Sequence, residues 1–374
     1  MSQPELMRGS QGYRLSDAAK EQAAHTLMDP ATRPSNVVGF GQGVKWTHGE
    51  PTGEPALLVF VSQKLPPTML REQDLLPRRM DDGTTVDVVR VGHVVAERLM
   101  GSPQAVSAPA AQFMGAPAPA IPRGDGAPAD TGVQVLTRRL RPCPSGFSIG
   151  NVQVTAGTMG SVVYDFLPGA TIDPPAPGLG IPSRFYVLSN NHVLADSNRA
   201  PVGSAIVQPG RFDGGVDPQD RIAVLSRFIP IDLTPAIPLT SHNNIVDAAI
   251  GEVQFQEATR ETYFNGAPRG WRRKANVSVG DLVKKTGRTT NLTVGRIIAV
   301  DATIDVSYGF GIGRFRDQIV TTAMSAGGDS GSLVTSLDNV AMGLLFAGSV
   351  QVTIVNHIEH VRSLLRVEIA ETLA

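Results

Sequence analysis

A serine set among glycines is the most distinctive chemical feature of this sequence. Ser330 lies in the run Gly327-Gly328-Asp329-Ser330-Gly331-Ser332. Because glycine has no Cβ and adopts backbone conformations that other residues avoid, such a run can form a tight turn that presents a hydroxyl. The N–H groups of Gly328 and Ser330 can then point at one substrate oxygen, which is the geometry of an oxyanion hole. The segment predicts a nucleophilic serine.

A serine hydroxyl is a poor nucleophile at neutral pH and needs a base within hydrogen-bond reach. Of the seven histidines, His192 directly follows an apolar strand-like segment at 186–189, which can fix the position of its ring. The imidazole in turn needs a buried carboxylate. Asp247 lies in the apolar segment 245–250, where an unpaired carboxylate would be costly to bury. The three residues are predicted to form a catalytic triad.

The order of these residues along the chain is informative. Asp247 follows His192 by 55 residues, and Ser330 follows Asp247 by 83 residues. The order His, Asp, Ser is found in chymotrypsin and differs from the orders in subtilisin and the α/β-hydrolases.

The segments 188–193 and 328–331 resemble the histidine and serine motifs of trypsin-like serine proteases, including the bacterial high-temperature-requirement group. A third segment, 285–295, is similar to a hairpin in the second barrel of the bacterial enzymes. The resemblance covers 145–367 and implies two six-stranded β-barrels with the triad in the cleft between them. A narrower similarity, to bacterial relatives of the plant narrow-leaf trypsin-like protein, also takes in 37–95.

The resemblance also implies a specificity pocket. Its base falls at Met324, where trypsin carries an aspartate, and its wall falls at Phe346, Ala347 and Gly348. We therefore expect a preference for apolar or small P1 side chains and no cleavage after Arg or Lys. In digestive members a freed N-terminus pairs with the acid that matches Asp329, and the long segment before the barrels puts that activation route in doubt.

The N-terminal third is predicted to contain two units. Residues 1–35 form a helical appendage whose helix is capped by Ser16 and stopped by Pro30. Residues 36–100 form a small α/β domain, with a glycine-bulged strand at 39–43 and further elements that follow in sequence. These are a buried strand at 56–61, a short helix at 68–76 and a strand at 85–95.

The remaining chain is predicted to be a linker followed by the protease domain. Between Gly101 and Asp130, Ala, Pro and Gly make up 19 of 30 residues, so 101–132 is interpreted as a linker. Residues 133–374 are rich in short strands separated by turn residues, which indicates a mainly β domain. The apolar stretch 340–355 is typical of two buried strands. The sequence ends in a predicted helix with its apolar face formed by Ile358, Val361, Leu364 and Leu365.

Composition narrows the classes of partner. The net charge is -1 and the sequence pI is about 6.7, which favours neither nucleic acid nor an anionic membrane as partner. Cys143 is the single cysteine, so no intramolecular disulfide can form. The N-terminal residues lack a signal-peptide pattern, which predicts a cytoplasmic protein. The pair His357 and His360 lacks the spacing of a metal site and is interpreted as a solvated helix face; neither metal nor cofactor is expected.

The sequence leaves more than one function open. The first hypothesis is a serine endopeptidase that acts on protein or peptide substrates without a cofactor and is regulated by its N-terminal domain. The alternative is a catalytically inactive peptide-binding scaffold that keeps the barrel cleft. Oligomeric state is not indicated by any pattern.

Overall fold

The computed structural model describes residues 15–47, 50–96 and 135–370. The predicted linker at 101–132 lies outside these ranges, so it stays a prediction. Strands are the main regular element of the described chain, most of their pairings are antiparallel, and the mainly β class is confirmed. None of the helices in the described ranges is long and apolar enough to cross a membrane.

The N-terminal segment begins with the predicted helix, α1 (Asp17–Met28), whose first turn is capped by Ser16 Oγ accepting from the N–H of Ala19 at 3.1 Å. It continues into four strands, β1 (Val37–Thr47), β2 (Glu50–Val61), β3 (Thr85–Arg90) and β4 (Val95–Ala96).

The predicted helix at 68–76 is wrong. Two single 3₁₀ turns, Pro67–Met69 and Glu72–Asp74, occupy this part of the chain. A helix this short has little intrinsic stability and needs a buried apolar face. The buried side chain here is Asp74, which accepts hydrogen bonds from the N–H of Ser35 and from Arg71.

The first half of the protease-like region begins at Cys143. Its elements are β5 (Cys143–Ser145), β6 (Ser148–Asn151), β7 (Gly157–Thr158), β8 (Ser161–Asp165), β9 (Phe185–Ser189), α2 (Asn191–Leu194), β10 (Ala205–Val207), β11 (Arg221–Phe228), β12 (Ala249–Val253) and β13 (Ala258–Thr262).

The second half of this region extends to the last strand of the described chain. Its elements are β14 (Gly270–Trp271), β15 (Leu282–Gly287), β16 (Asn291–Ser307), β17 (Ile312–Thr322), β18 (Leu333–Ser336), β19 (Val340–Gly348), β20 (Val352–His357), α3 (Ile358–Leu365) and β21 (Val367–Glu368). The two buried strands predicted within 340–355 are β19 and β20.

The two halves form two large sheets. In the second half the strand order β15-β18-β19-β20-β17-β16 closes on itself because β15 also pairs with β16. This ring of six strands encloses an apolar cluster that includes Val283, Ile319 and Val355. The other sheet has eight strands in the order β21-β8-β9-β12-β11-β10-β6-β7, of which seven come from the first half and β21 from the second. Strand alternation places apolar side chains such as Ile149 and Val187 in its own core.

Helix α3 packs between the two sheets. Ile358, Val361 and Leu365 join a cluster that contains Tyr186 from the first sheet and Leu344 from the second. Leu364 was predicted to belong to the same apolar face but is 45% exposed. Its place is taken by Arg362, which is fully buried and paired with Glu368.

The hairpin β1–β2 extends the sheet of the second barrel. Strand β1 pairs antiparallel with β16, and the register shifts between Phe40 and Gln42, which confirms the predicted bulge. Arg33, which precedes β1, adds an ion pair with Asp305 on β16, and Arg314 on β17 contacts the same carboxylate from within the barrel. Within the described ranges the N-terminal unit and the second barrel therefore share one sheet, and the division into domains stays a prediction.

The attachment of β1 can be tested at Gly39. A Cβ at this position would lie 3.0 Å from the Cα of Ile304 and closer still to the carbonyl oxygen of Thr303. We expect Gly39→Val to lower the free energy of unfolding by about 1–3 kcal/mol in urea titrations, because the strands cannot approach. Lys45→Val, on the same strand beyond the segment paired with β16, should change it by less than about 0.5 kcal/mol. Equal stability of the two variants would show that β1 is not held tightly by β16.

Candidate active site

His192 is placed by the junction between β9 and α2. Its Nδ1 donates to Oδ2 of Asp247 at 2.6 Å, and its backbone N–H donates to Oδ1 at 3.1 Å. Asn190 strengthens the junction by donating its amide to the carbonyl oxygen of Asp247 at 2.7 Å. The ring is buried, and its Nε2 has no hydrogen-bond partner among the described residues. The bond at Nδ1 leaves Nε2 as the nitrogen that can accept a proton.

Asp247 lies just before β12 and is fully buried. Besides the two bonds from His192, its Oδ2 accepts from the hydroxyl of Tyr308 at 2.7 Å. Its own N–H donates to the side-chain oxygen of Asn356 on β20 at 3.1 Å. A carboxylate in such a position is stabilised as an anion only because these donors surround it.

Tyr308 was missed by the sequence reasoning. It follows β16, is buried beside Phe315 and Phe346, and meets the ring of His192 edge to face with centroids 6.1 Å apart. Its hydroxyl therefore reaches Asp247 from the second sheet. The available signal was weak, because a tyrosine at the end of a strand is usually a packing residue.

Ser330 lies in the turn that leads into β18. Gly328 and Gly331 have φ values of 99° and 95°, a region that favours glycine. A Cβ at Gly331 would overlap the hydroxyl of Ser189, so the turn packs against the end of β9. The hydroxyl of Ser330 donates to the carbonyl oxygen of Phe346 at 3.2 Å.

The serine turn and the histidine lie at the same end of the first sheet. The carbonyl oxygen of Ser330 accepts from the N–H of Thr158 on β7 at 2.7 Å. The carbonyl oxygen of Thr158 accepts from the hydroxyl of Ser189 at 2.7 Å, and Ser189 precedes His192 by three residues. One backbone bond and one bond from a side-chain hydroxyl thus connect the segment that carries the serine to the segment that carries the histidine.

Asp329, next to the serine, is paired with a lysine inside the protein. Lys285 on β15 approaches its Oδ2 at 3.1 Å, and both side chains are fully buried. The same carboxylate accepts from the N–H groups of Thr289, Thr290 and Ala326 and from the hydroxyl of Thr290. Lys285 is thus the cationic partner of Asp329, the acid that in digestive members of the superfamily pairs with a freed N-terminus. The motif 285–295 was recognised in the sequence, but this pairing was not.

The predicted specificity residues lie on the second barrel. The side chain of Met324 packs with Val283 and Leu345 in the barrel core. Phe346 packs with Phe315, and Ala347 and Gly348 end β19. Their role in a substrate pocket stays a prediction.

Of the other candidate groups, His357 and Cys143 are buried and His360 is partly exposed. His357 is 2% exposed, so the interpretation of this pair as a solvated helix face is wrong; burial lowers the pKa of His357 to about 3. His360 donates to Asp317 at 2.6 Å. Burial raises the pKa of the Cys143 thiol to about 12, which keeps it protonated. The described ranges contain no group of three or more His, Cys, Asp or Glu side chains that could hold a metal ion.

Comparison with known proteins identifies relatives for part of the chain. No model of a protein family matches it. Glutamyl endopeptidase 2 of Streptomyces griseus is 39% identical over 89 residues, which are 23% of this chain and 38% of that protein. Serine protease 1 of Streptomyces fradiae is 40% identical over 91 residues, 24% of this chain and 21% of that protein. The matches span less than half of these relatives.

Solved structures with a similar fold have lower identity. Protease A of Thermobifida fusca is 16% identical with a TM-score of 0.40, covering 60% of this chain and 96% of its own. A glutamic acid-specific serine protease is 20% identical with a TM-score of 0.40, covering 60% of this chain and 98% of its own.

The sequence relatives support the resemblance to the trypsin-like serine protease superfamily that the motifs indicated. The narrower similarity to bacterial relatives of the plant narrow-leaf protein stays a prediction. Both relatives are named as proteases, and one is named for cleavage at glutamyl residues.

The buried ion pair below the serine turn can be tested at Lys285. Lys285→Met removes the cation and leaves the carboxylate of Asp329 buried, so we expect the free energy of unfolding to fall by about 3–5 kcal/mol. Lys284→Met, at the neighbouring and partly exposed position of the same strand, should change it by less than about 0.5 kcal/mol. Urea denaturation measures both. If the two variants are equally stable, the pair does not hold the turn.

Proposed function

We propose that this protein is a serine endopeptidase in which His192, Asp247 and Ser330 form the catalytic triad. The observation that supports this best is the buried bond of 2.6 Å between His192 Nδ1 and Asp247 Oδ2, with Nε2 left unpartnered among the described residues. A general base needs one ring nitrogen held by an orienting group and the other left for the nucleophile, and His192 has both. The substrates are proteins or peptides.

The proposed reaction gives each residue of the triad one role. The hydroxyl of Ser330 attacks the carbonyl carbon of the peptide bond while Nε2 of His192 takes its proton. Asp247 holds the imidazole in the required orientation and stabilises the imidazolium. His192 then returns the proton to the leaving amine, and water hydrolyses the acyl-enzyme by the same path.

The N–H groups of Gly328 and Ser330 are proposed to stabilise the oxyanion. The left-handed φ of Gly328 supports this role, because it orients consecutive peptide units differently within a short turn. The pairing of Asp329 with Lys285 supports a turn that is held without a cleaved N-terminus.

We further propose that the enzyme prefers substrates with an apolar or small P1 side chain. We also propose that the N-terminal unit regulates access of the substrate to the active site. The apolar character of Met324 and of the segment 346–348 supports the first point. The sheet shared by β1 and β16 supports the second, since the N-terminal unit is fixed beside the second barrel.

The nucleophile is tested by labelling with a fluorophosphonate probe. We expect labelling of the wild type and none of Ser330→Ala, with hydrolysis of a protein substrate reduced by roughly 10⁶-fold. Ser332→Ala, which removes a hydroxyl from the same turn, should still be labelled. Circular dichroism confirms that both variants fold. Labelling of Ser330→Ala would refute the assignment, and an unlabelled but folded wild type would favour the peptide-binding scaffold.

The P1 preference is tested with peptide reporters that differ only in the residue before the cleaved bond. We expect kcat/KM for Leu or Ala to exceed that for Arg by tenfold or more, because Met324 cannot pair a buried guanidinium. A Glu reporter completes the panel. Fastest cleavage after Glu would contradict the apolar preference and match the specificity named for the Streptomyces griseus relative.

A further inference from the structure

Strand β19 has an edge that leads to the serine turn. On one side β19 pairs with β20 along most of its length. On its other side β18 pairs with it only as far as Leu344. The next two residues on this edge bond to the serine turn. The carbonyl oxygen of Leu345 accepts from the N–H of Gly331, and its N–H donates to the carbonyl oxygen of Ser332. The carbonyl oxygen of Phe346 accepts from Ser330 Oγ. Beyond Phe346 the edge would be open to an extended chain.

Strand β4 occupies that open edge. It pairs antiparallel with β19, with Ala96 opposite Ala347 and Val95 opposite Gly348. An extended peptide that lies in this register and continues by one residue arrives opposite Phe346, beside the hydroxyl of Ser330. Addition of a strand to an exposed sheet edge is a common way in which proteins bind extended peptides. Strand β4 therefore has the direction and register of a peptide that approaches the serine.

The side chains of this segment alternate as those of a bound strand do. Val94 and Ala96 are 3% and 5% exposed and pack in the cluster that contains Tyr308 and Phe346. Val95, between them, is 44% exposed. The cleft thus takes apolar side chains at alternate positions of an extended chain and leaves the middle position in solvent.

Besides its pairing with β19 and a parallel bridge between Val95 and Ser307 on β16, three hydrogen bonds hold the segment in place. The hydroxyl of Ser349 donates to the carbonyl oxygen of Val91 at 2.5 Å. The N–H of Ser307 donates to the carbonyl oxygen of Val94 at 3.0 Å. The N–H of Val91 donates to the carbonyl oxygen of Val61 on β2 at 2.8 Å. The segment is thereby anchored both to the hairpin β1–β2 and to the second barrel.

We propose that β4 is a built-in competitive inhibitor that occupies the substrate-binding edge of β19. This rests on the proposed function and specifies how the N-terminal unit regulates it. A substrate must displace β4 and is itself an extended peptide, with apolar residues at the second and fourth positions before the cleaved bond, which correspond to Ala96 and Val94. The competition is intramolecular, so it acts at a high effective concentration.

The test uses the full chain and a fluorescein-labelled peptide with the sequence of residues 91–96, Val-Gly-His-Val-Val-Ala. In Val94→Asp a buried carboxylate expels β4, so we expect the peptide to bind at least tenfold more tightly than to the wild type, measured by fluorescence anisotropy. In Val95→Asp the same charge stands at the exposed position, and binding should match the wild type within twofold. The milder Val94→Ala, which only removes two methyl groups, should tighten binding about threefold.

Equal peptide binding by the wild type, Val94→Asp and Val94→Ala overturns the proposal. Fluorophosphonate labelling of the same samples separates the two hypotheses, because the small probe needs the serine but not the edge of β19. Tighter peptide binding without labelling shows that β4 occupies the peptide-binding edge of β19 but refutes the protease, and with it the role of β4 as an inhibitor. Labelling with unchanged peptide binding supports the protease and refutes β4 as its inhibitor. Intact masses are recorded throughout, and a cut in the wild-type chain within a few residues of Ala96 would make β4 a substrate and overturn its role as an inhibitor.

Discussion

The buried carboxylate of Asp247 is the constraint on which the arrangement of the site depends. An anion without water must be surrounded by donors, and these come from different parts of the chain. His192 approaches it from the end of the first sheet, whereas Tyr308 approaches from the second, and Asn356 on β20 fixes its backbone. The hydrogen bonds to this one residue therefore join the first sheet to the second. The same bonds fix the tautomer of His192.

A second buried acid organises the serine turn. Asp329 is neutralised by Lys285 and receives further donors from the hairpin 285–291, so the turn is tied to the second barrel from below. Replacing a cleaved N-terminus by an internal lysine removes the need for a chain break to supply the cation. For the proposed enzyme, we therefore place control at access to the substrate-binding edge rather than at the turn itself.

The N-terminal unit provides the elements for such control. Hairpin β1–β2 continues the sheet of the second barrel, and Arg33 adds a charged contact to Asp305. This attachment fixes one end of the segment that carries β4. Because β4 is only two residues long, few backbone bonds oppose its release. A rigid anchor combined with a short strand is suited to reversible occupation of a binding edge.

The sequence by itself determined the class of the protein, the mainly β fold and the candidate residues of the triad. These depend on local signals: a glycine-rich turn, apolar alternation and the order of three motifs. Only the tertiary structure revealed Tyr308, the pairing of Lys285 with Asp329, and β4 on the edge of β19, because each joins residues far apart in the chain and a local pattern does not show which distant residues meet. The predicted helix at 68–76 was wrong for a related reason, since a short segment adopts the conformation that its tertiary contacts select.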